Sequence, residues 1–233
     1  MNDWIHVETV DGGFKAYVAR PSSSQPAPCV VVLQEIFGVN ADLRQTCDEL
    51  ATKGYIAVSP DLFWRMQAGL DITDQTEAEW KKGFDLYQAF DIEKGVIDIT
   101  ATMQAARALD GASGKVGLMG YCMGGLLTLI TASRVPVDAA VVYYGGNSDR
   151  HLSEAKTLHS PLMFHVGEDD EYISPEAQRL ITAALAERPE TQMFVYPGAK
   201  HAFARHHGIN FNAEAAALAN RRTDDFLAAR LRG

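Results

Sequence analysis

The fold is decided by the stretch Lys115-Val116-Gly117-Leu118-Met119-Gly120-Tyr121-Cys122-Met123-Gly124-Gly125-Leu126-Leu127-Thr128-Leu129. It predicts a short apolar strand, a break at glycine, a single cysteine and then an apolar helix. The pattern Gly-Tyr-Cys-Met-Gly is the nucleophile elbow G-x-S-x-G with cysteine in place of serine. At such a sharp turn, side chains two residues either side of the nucleophile would collide with the backbone. We therefore expect Gly120 and Gly124 to be required.

Cys122 is interpreted as a nucleophile. At a helix N-terminus the free N–H groups and the helix dipole favour a thiolate, which is the reactive form. The alternative is a small buried hydrophobe, as most free cysteines are, and we assign that role to Cys29 and Cys47. A dinucleotide loop is disfavoured because G-x-G-x-x-G would need glycine at position 122, and no G-x-x-x-x-G-K-[ST] occurs.

Composition restricts the class of protein. A chain of 233 residues with 47% hydrophobic and 22% charged residues is an ordinary globular protein, and we expect one domain, residues 1–233. The net charge of −9 argues against nucleic acid or an anionic membrane as partners. The N-terminus lacks signal-peptide features, and there is no run of about 18 apolar residues. We therefore expect a cytoplasmic protein.

Strand and helix patterns alternate along the chain, which predicts an α/β fold with a mostly parallel sheet covered on both faces. An opening hairpin is expected over 4–10 and 14–19, around Asp11-Gly12-Gly13. Further strands are expected at 29–33, 55–58, 138–143, 161–166 and 192–196. Helices are expected at 41–52, 77–89, 92–109, 175–186 and 212–231.

Polar residues that directly follow the buried strands are the candidates for function, because active residues in such sheets lie at the carboxyl ends of strands. The first parallel strand leads to Glu35, and the elbow strand leads to Cys122. Two later strands lead to Glu168-Asp169-Asp170 and to Lys200-His201.

A thiol nucleophile needs a base, and the base needs an orienting carboxylate. His201 is the best base because it follows the last strand on a turn-rich loop, in the chain order nucleophile, acid, base. His165 is expected inside a strand. Asp170 is favoured over Asp169 for the acid by its position in the loop, and the other aspartate is expected to be a loop or turn residue.

These residues carry a family resemblance. The sequence resembles the dienelactone hydrolase family (carboxymethylenebutenolidases) of the α/β-hydrolase superfamily. The matching motifs span nearly the whole chain: Gln-Glu-Ile-Phe-Gly-Val-Asn at 34–40, Gln-Ala-Phe-Asp at 88–91, the elbow at 115–125, Tyr-Tyr-Gly at 143–145, His-Ala-Phe-Ala-Arg at 201–205 and Ala-Ala-Ala-Leu-Ala-Asn at 215–220. The resemblance implies an α/β-hydrolase fold with a mostly parallel central sheet and helices on both faces.

The resemblance also implies roles for individual residues. Cys122, Asp170 and His201 match the catalytic triad. The backbone N–H groups of Ile36 and Met123 match the oxyanion hole.

Other matching positions concern the substrate and the resting thiol. Glu35 matches a buried carboxylate that holds the resting thiol and interacts with an arginine. Arg205 matches that arginine, which also meets the substrate carboxylate. Phe37 and Tyr143 lie in matching motifs, and we expect them, with Trp80, near the substrate. A carboxylate placed after an apolar strand is costly unless it is paired, which agrees with this assignment.

The sequence departs from the family in the helix before residue 88. The family's second carboxylate-binding arginine aligns with Trp80, and the nearby family aromatics are altered to Phe84 and Tyr87. Lys81 and Lys82 are adjacent but point elsewhere on a helix, and we expect them on a solvated face. This departure disfavours dienelactone as the physiological substrate and leaves ester hydrolysis intact.

We therefore expect a hydrolase that cleaves carboxylic ester or lactone bonds through Cys122 and an acyl-enzyme. The alternatives are a broad esterase or thioesterase for neutral or aryl esters, and a non-catalytic α/β-hydrolase scaffold that binds a small ligand. No metal or organic cofactor is expected, since no cluster of residues has zinc-ligand spacing. The expected partner is a small-molecule ester or lactone, and the chain is expected to be a monomer or weak homodimer.

Overall fold

The computed structural model describes residues 2–188 and 190–233. Eight strands form one sheet in the order β1-β2-β4-β3-β5-β6-β7-β8. Their bounds are β1 Asn2–Thr9, β2 Gly12–Ala19, β3 Ala27–Leu33, β4 Ile56–Pro60, β5 Ala112–Tyr121, β6 Ala139–Tyr143, β7 Leu162–Gly167 and β8 Thr191–Tyr196.

The helices in the described part of the chain separate most of these strands. Their bounds are α1 Ala41–Thr52, α2 Trp64–Gln67, α3 Glu77–Gln88, α4 Ile92–Arg107, α5 Met123–Arg134, α6 Leu152–Ala155, α7 Pro175–Ala186 and α8 Ala213–Leu231. The predicted elements are confirmed, and the ends of α1 and α7 agree with the prediction. The short helices α2 and α6 were not predicted, because four residues are too few to show a periodic pattern.

The burial pattern explains why the sequence predicts a parallel sheet. Every residue of β3, β6 and β7 is buried, although successive side chains point to opposite faces. Both faces of these strands are therefore covered, as in parallel sheets of α/β proteins. The pairs β3–β4, β6–β7 and β7–β8 are parallel, and the opening strands form the antiparallel pairs β1–β2 and β2–β4.

The chain packs as two compact units, residues 1–117 and 118–233, divided within β5. In the first unit, α1 begins at Asn40, whose side-chain oxygen accepts a hydrogen bond from the N–H of Leu43 at 3.0 Å. The helix α3 begins with a capping box, in which Thr76 accepts from the N–H of Glu79 at 3.2 Å.

In the second unit, the elbow turn leads directly into α5, a helix that is buried along almost its whole length. Two later helices in this unit have side-chain caps. Ser174 accepts from the N–H of Ala177 at 3.2 Å before α7, and Asn212 accepts from the N–H of Ala215 at 3.1 Å before α8. The caps hold the segments that follow β7 and β8, from which the predicted acid and base project.

Candidate active site

The elbow has the strained geometry that its sequence predicts. Cys122 has φ 52° and ψ −113°, a backbone conformation that residues other than glycine rarely adopt. A Cβ added at Gly120 would overlap the carbonyl oxygen of Gly124. The N–H of Cys122 donates to the carbonyl oxygen of Tyr143 at 3.0 Å, which ties the turn to the end of β6.

Gly125 is a second glycine that the turn requires, and its role was not predicted. A Cβ at Gly125 would lie 2.6 Å from the carbonyl oxygen of Tyr143 and 3.0 Å from the Cα of Gly145. The start of α5 can therefore approach the loop after β6 only because positions 125 and 145 both lack side chains. The sequence signal was the doubled glycine after the cysteine, which is more than the elbow pattern needs.

The three cysteines differ in exposure. Cys122 is partly exposed, whereas Cys29 and Cys47 are buried, as predicted for packing residues. Burial raises the pKa of Cys29 to about 11, although the charges of Arg20 and Arg107 act in the opposite direction. Burial also raises the pKa of Cys47. Both of these thiols therefore stay protonated at neutral pH, and the partly exposed thiol is the one on the elbow.

His201 and Asp170 form a buried pair on the loops that follow β8 and β7. The Nδ1 atom of His201 lies 3.0 Å from Oδ1 and 2.9 Å from Oδ2 of Asp170. Oδ1 of Asp170 also accepts hydrogen bonds from the N–H groups of Tyr172 at 2.9 Å and Ile173 at 3.1 Å. Asp169 is exposed. Asp170 is therefore the member of the aspartate pair that faces the imidazole.

The opposite side of the His201 ring interacts with Cys122. Nε2 is buried and has no hydrogen-bonding oxygen or nitrogen partner among residues 2–188 and 190–233. Burial by itself lowers the pKa of His201. The negative charge of Cys122 and hydrogen bonds to Asp170 and Cys122 outweigh it and raise the pKa to about 10. The surroundings therefore favour the imidazolium form of His201.

Close approach of two loops brings the acid and the base together. A Cβ at Gly167, the last residue of β7, would overlap the carbonyl oxygen of Ala199. The N–H of Asp169 donates to that same carbonyl at 3.0 Å. Glycine at position 167 thus lets the loop carrying Asp170 lie against the loop carrying His201.

Two tyrosines cover the imidazole, and neither was predicted to do so. Tyr144, which is fully buried, meets the ring edge-on at 5.1 Å. Tyr172 meets it edge-on at 4.8 Å and is 52% exposed. Burial, followed by the negative charges of Glu171 and Cys122, raises the pKa of Tyr172, so its hydroxyl stays protonated beside the thiol. Neither residue has a signal in the sequence other than its proximity to a motif.

Tyr143 does not fit the expectation that it contacts substrate. Its side chain is 1% exposed, and its hydroxyl group donates to Oδ1 of Asn220 at 2.9 Å. The same hydroxyl lies 2.7 Å from Oγ1 of Thr223, also on α8. The ring is therefore part of the core, where it packs on Tyr121 of the elbow with ring centroids 4.7 Å apart.

His165 belongs to the same buried network and lies inside β7, as predicted. Its Nδ1 lies 2.7 Å from the hydroxyl oxygen of Tyr196, and its Nε2 lies 3.0 Å from Oγ1 of Thr223. Burial, together with the charge of Arg222, lowers the pKa of His165 to about 3. The imidazole is therefore neutral in the native protein.

The neutral state of His165 predicts acid sensitivity. An unfolded histidine titrates near pH 6.5, so below that pH the unfolded chain binds a proton that native His165 takes up only near pH 3. The free energy of unfolding should therefore fall by about 1.4 kcal/mol per pH unit through this window from this residue. Urea unfolding at several pH values should give a shallower dependence for His165→Gln than for wild type. Equal dependences would contradict this assignment.

The predicted residues of the first unit lie on the loop after β3 and on α3. Gln34 holds the loop, because its Oε1 accepts from the N–H of Leu62 at 3.0 Å. Glu35, Ile36 and Phe37 follow it, and all three are buried. The sequence pattern had predicted no separate role for Gln34.

The helix α3 packs directly on Ile36. A Cβ at Gly83 would lie 2.6 Å from the carbonyl oxygen of Ile36. Trp80 lies one turn before Gly83, on the same side of the helix, and stacks on Phe84 with ring centroids 5.0 Å apart. Lys81 is exposed and pairs with Asp85 at 2.6 Å.

Lys82 is also exposed, which agrees with the predicted solvated face.

Arg205 lies in the second unit, in the turn after His201. Its side chain is half-buried, and its N–H donates to the carbonyl oxygen of Ala202 at 3.1 Å.

A model of the dienelactone hydrolase family matches residues 14–231. The chain belongs to the dienelactone hydrolase family. It is 41% identical over 229 residues to a carboxymethylenebutenolidase of Pseudomonas putida, with 98% of this chain and 97% of the relative covered. A carboxymethylenebutenolidase of Cupriavidus pinatubonensis is 34% identical over 229 residues, with 98% and 97% covered.

Solved structures agree with the family. A Klebsiella pneumoniae protein, solved as a candidate dienelactone hydrolase, is 28% identical and superposes with a TM-score of 0.86 over 98% of both chains. As a member of the dienelactone hydrolase family, the chain is a hydrolase of ester or lactone bonds with an α/β-hydrolase fold. In the described chain no helix has both the length and the hydropathy to span a membrane.

Proposed function

We propose that the protein hydrolyses small carboxylic esters or lactones with Cys122 as nucleophile, His201 as base and Asp170 as orienting acid. The observation that carries this proposal is the position of the His201 imidazole. One side of the ring is 2.9 Å from Asp170, and the other interacts with a cysteine on a strained elbow. This is the geometry of a nucleophile, a base and an orienting group.

The reaction begins when the Cys122 thiolate attacks the carbonyl carbon of the substrate. The carbonyl π electrons move to oxygen, and the N–H groups of Met123 and Ile36 stabilise the oxyanion. Met123 is the first residue of α5, so its N–H has no partner within the helix. Each such donor contributes about 3–4 kcal/mol where its removal has been measured.

Collapse of the tetrahedral intermediate breaks the ester C–O bond. The departing alkoxide or enolate takes a proton from the His201 imidazolium. Neutral His201 then removes a proton from water, and the resulting hydroxide attacks the thioester and expels the thiolate. The acid product leaves, and the ion pair of thiolate and imidazolium is restored.

The two alternative functions predict different kinetics. A broad esterase or thioesterase would prefer neutral substrates beside Trp80, and a binding scaffold would release no product. The test is rapid mixing with 4-nitrophenyl acetate, which should release one equivalent of nitrophenolate per chain in a burst before steady turnover. Absence of both burst and turnover would favour the binding scaffold.

The substrate preference should depend on Trp80. An arginine and a second cation can hold a carboxylate from two sides, and each charge-assisted hydrogen bond contributes about 1.5–3 kcal/mol. Trp80 stands where the family has its second carboxylate-binding arginine. The preference for an anionic over a neutral ester, measured as a ratio of kcat/KM, should therefore be about tenfold to a hundredfold weaker than in a protein with arginine at position 80. We expect Trp80→Arg to increase this preference and Arg205→Ala to remove most of it.

The measurement compares kcat/KM for a dienelactone and for a neutral aryl ester in wild type and both variants. Lys82→Gln is a suitable control, because Lys82 lies on the exposed side of the same helix. A wild type that strongly prefers the dienelactone and is unchanged by Trp80→Arg would overturn the role of Trp80.

Glu35 should restrain the resting thiol. It follows β3 and is buried, and the family resemblance pairs it with Arg205, as a buried carboxylate requires. A carboxylate near sulfur disfavours the thiolate, so we expect Glu35→Gln to alkylate with iodoacetamide faster than wild type at neutral pH. Rates measured across pH test this, with exposed Glu176→Gln as control. No acceleration would refute the restraint.

The organisation of the protein completes the proposal. Residues 1–233 fold as one domain, act as a monomer or weak homodimer and work in the cytoplasm. All three cysteines are free, which is consistent with a reducing compartment. Light scattering after size exclusion, a single cooperative unfolding transition and cell fractionation test these three statements; a tetramer, two transitions or export would contradict them.

A further inference from the structure

The first unit contains a cavity of about 510 Å³ that takes no part in the proposed reaction. Its lining includes Trp4, Lys15, Arg44, Trp64 and Leu70. Small-molecule sites in proteins commonly have volumes of about 300–1,000 Å³. The cavity is therefore large enough for a ligand of one or two rings.

The strands and helix α1 place the side chains of Trp4, Lys15 and Arg44 around one space. Trp4 pairs with Tyr17 across β1 and β2, and Lys15 lies two residues before Tyr17, so Trp4, Lys15 and Tyr17 lie on one face of the sheet. The Tyr17 hydroxyl donates to Oδ1 of Asp48 at 2.8 Å, which holds α1 over that face. Arg44 lies one helical turn before Asp48 and points to the same side.

The apolar part of the lining is aromatic. Trp4 is 43% exposed and meets Tyr17 edge-on at 5.5 Å, so much of its ring surface remains uncovered. Trp64 stacks on Phe14, which also lines the cavity, with ring centroids 5.7 Å apart. A planar ring could therefore stack within the cavity, as aromatic groups prefer to do.

The cations of the lining have unused donors. Arg44 is held in place by Nη1, which donates to the carbonyl oxygen of Val39 at 2.6 Å and to Oδ2 of Asp71 at 2.8 Å. Within residues 2–188 and 190–233, Nη2 and Nε of Arg44 make no hydrogen bond, and the Lys15 ammonium has no ion-pair partner.

The acids of the lining are already satisfied. Asp71 pairs with Arg44. Asp61 accepts from the N–H groups of Phe63 at 3.1 Å and Gly69 at 2.6 Å, and burial raises its pKa. In a chain with a net charge of −9, this cavity therefore presents unpaired cationic donors beside exposed aromatic surface.

We propose that this cavity binds a planar aromatic anion, an aryl carboxylate by class. The ring lies against Trp4, and the carboxylate accepts hydrogen bonds from Arg44 and Lys15. Arginine suits this role because its fixed, planar donors match the geometry of a carboxylate.

The chain carries its own reporters for a test. It has three tryptophans, of which Trp4 and Trp64 line the cavity and Trp80 lies on α3, where the proposed function expects the substrate. In ¹H–¹⁵N spectra of the full chain, titration with 1-naphthoate should shift the indole N–H signals of Trp4 and Trp64 with one common dissociation constant. Any binding at the catalytic site would move the Trp80 signal with a separate constant.

Two comparisons make the result decisive. The neutral 1-naphthalenemethanol should bind about tenfold more weakly than naphthoate, and Lys15→Gln should weaken naphthoate binding about tenfold, for one lost charge-assisted bond. Lys94→Gln, an exposed lysine on α4, is the matched control and should have no effect. The proposal is overturned if only Trp80 responds, if both probes bind equally, or if Lys15→Gln behaves like the control.

Discussion

Cys122→Ala should abolish ester hydrolysis and leave the fold intact. The thiolate forms the covalent bond in the proposed reaction, and alanine removes the reacting sulfur. Removing a nucleophile of this kind lowers kcat by about 10⁴-fold or more. Steady-state kinetics with an aryl ester, together with an unchanged far-UV spectrum, measure the effect.

The same variant should change the titration of His201. The negative charge of Cys122 helps to raise the pKa of His201 to about 10, against the effect of burial. Without that charge the imidazole should lose its proton at a lower pH, which NMR of the His201 ring can follow. Cys122 would lose its assigned role as nucleophile if the variant kept more than about a tenth of the wild-type kcat, which corresponds to a change of about 1.4 kcal/mol in the barrier.

Cys29→Ser and Cys47→Ser are the controls for chemistry as opposed to packing. Both thiols are fully buried, and the Cys29 sulfur lies 3.2 Å from the carbonyl oxygen of Ala106. Either change affects the core, so it can lower the melting temperature while kcat per folded molecule stays the same. Loss of kcat in both controls would show that thiol substitution acts through the fold.

Asp170→Asn should lower kcat by about 10⁴-fold, because the wrong imidazole tautomer would face the thiol. The N–H groups of Tyr172 and Ile173 both donate to Oδ1 of Asp170. An asparagine would therefore keep its oxygen at that place and present its NH₂ group at the place of Oδ2, 2.9 Å from Nδ1 of His201. His201 would have to accept this hydrogen bond, so its proton would move to Nε2 and it could no longer act as the base.

Asp169→Asn is the matched control for this prediction. Asp169 is the adjacent residue, carries the same charge and is exposed. We expect its kcat and KM to stay near wild type. A larger loss from Asp169→Asn than from Asp170→Asn would reverse the assignment of the acid.

The sequence alone determined the order of strands and helices and the location of the nucleophile. The reason is local: an elbow needs glycine at fixed positions beside the nucleophile, and buried strands need continuous apolar runs. The same applies to Cys29 and Cys47, whose positions in a strand and a helix predicted their burial. The histidine that follows the last strand was also identifiable, because the carboxyl ends of parallel strands share one edge of the sheet.

Only the tertiary structure decided which aspartate faces the Nδ1 atom of His201. Asp169 and Asp170 have the same chemistry, and the backbone N–H groups that select Asp170 depend on how the loop after β7 turns. Tyr143 and Tyr144 are neighbours in one motif, yet the first points to α8 and the second covers His201. Such choices depend on contacts between residues far apart in the chain, which no local pattern records.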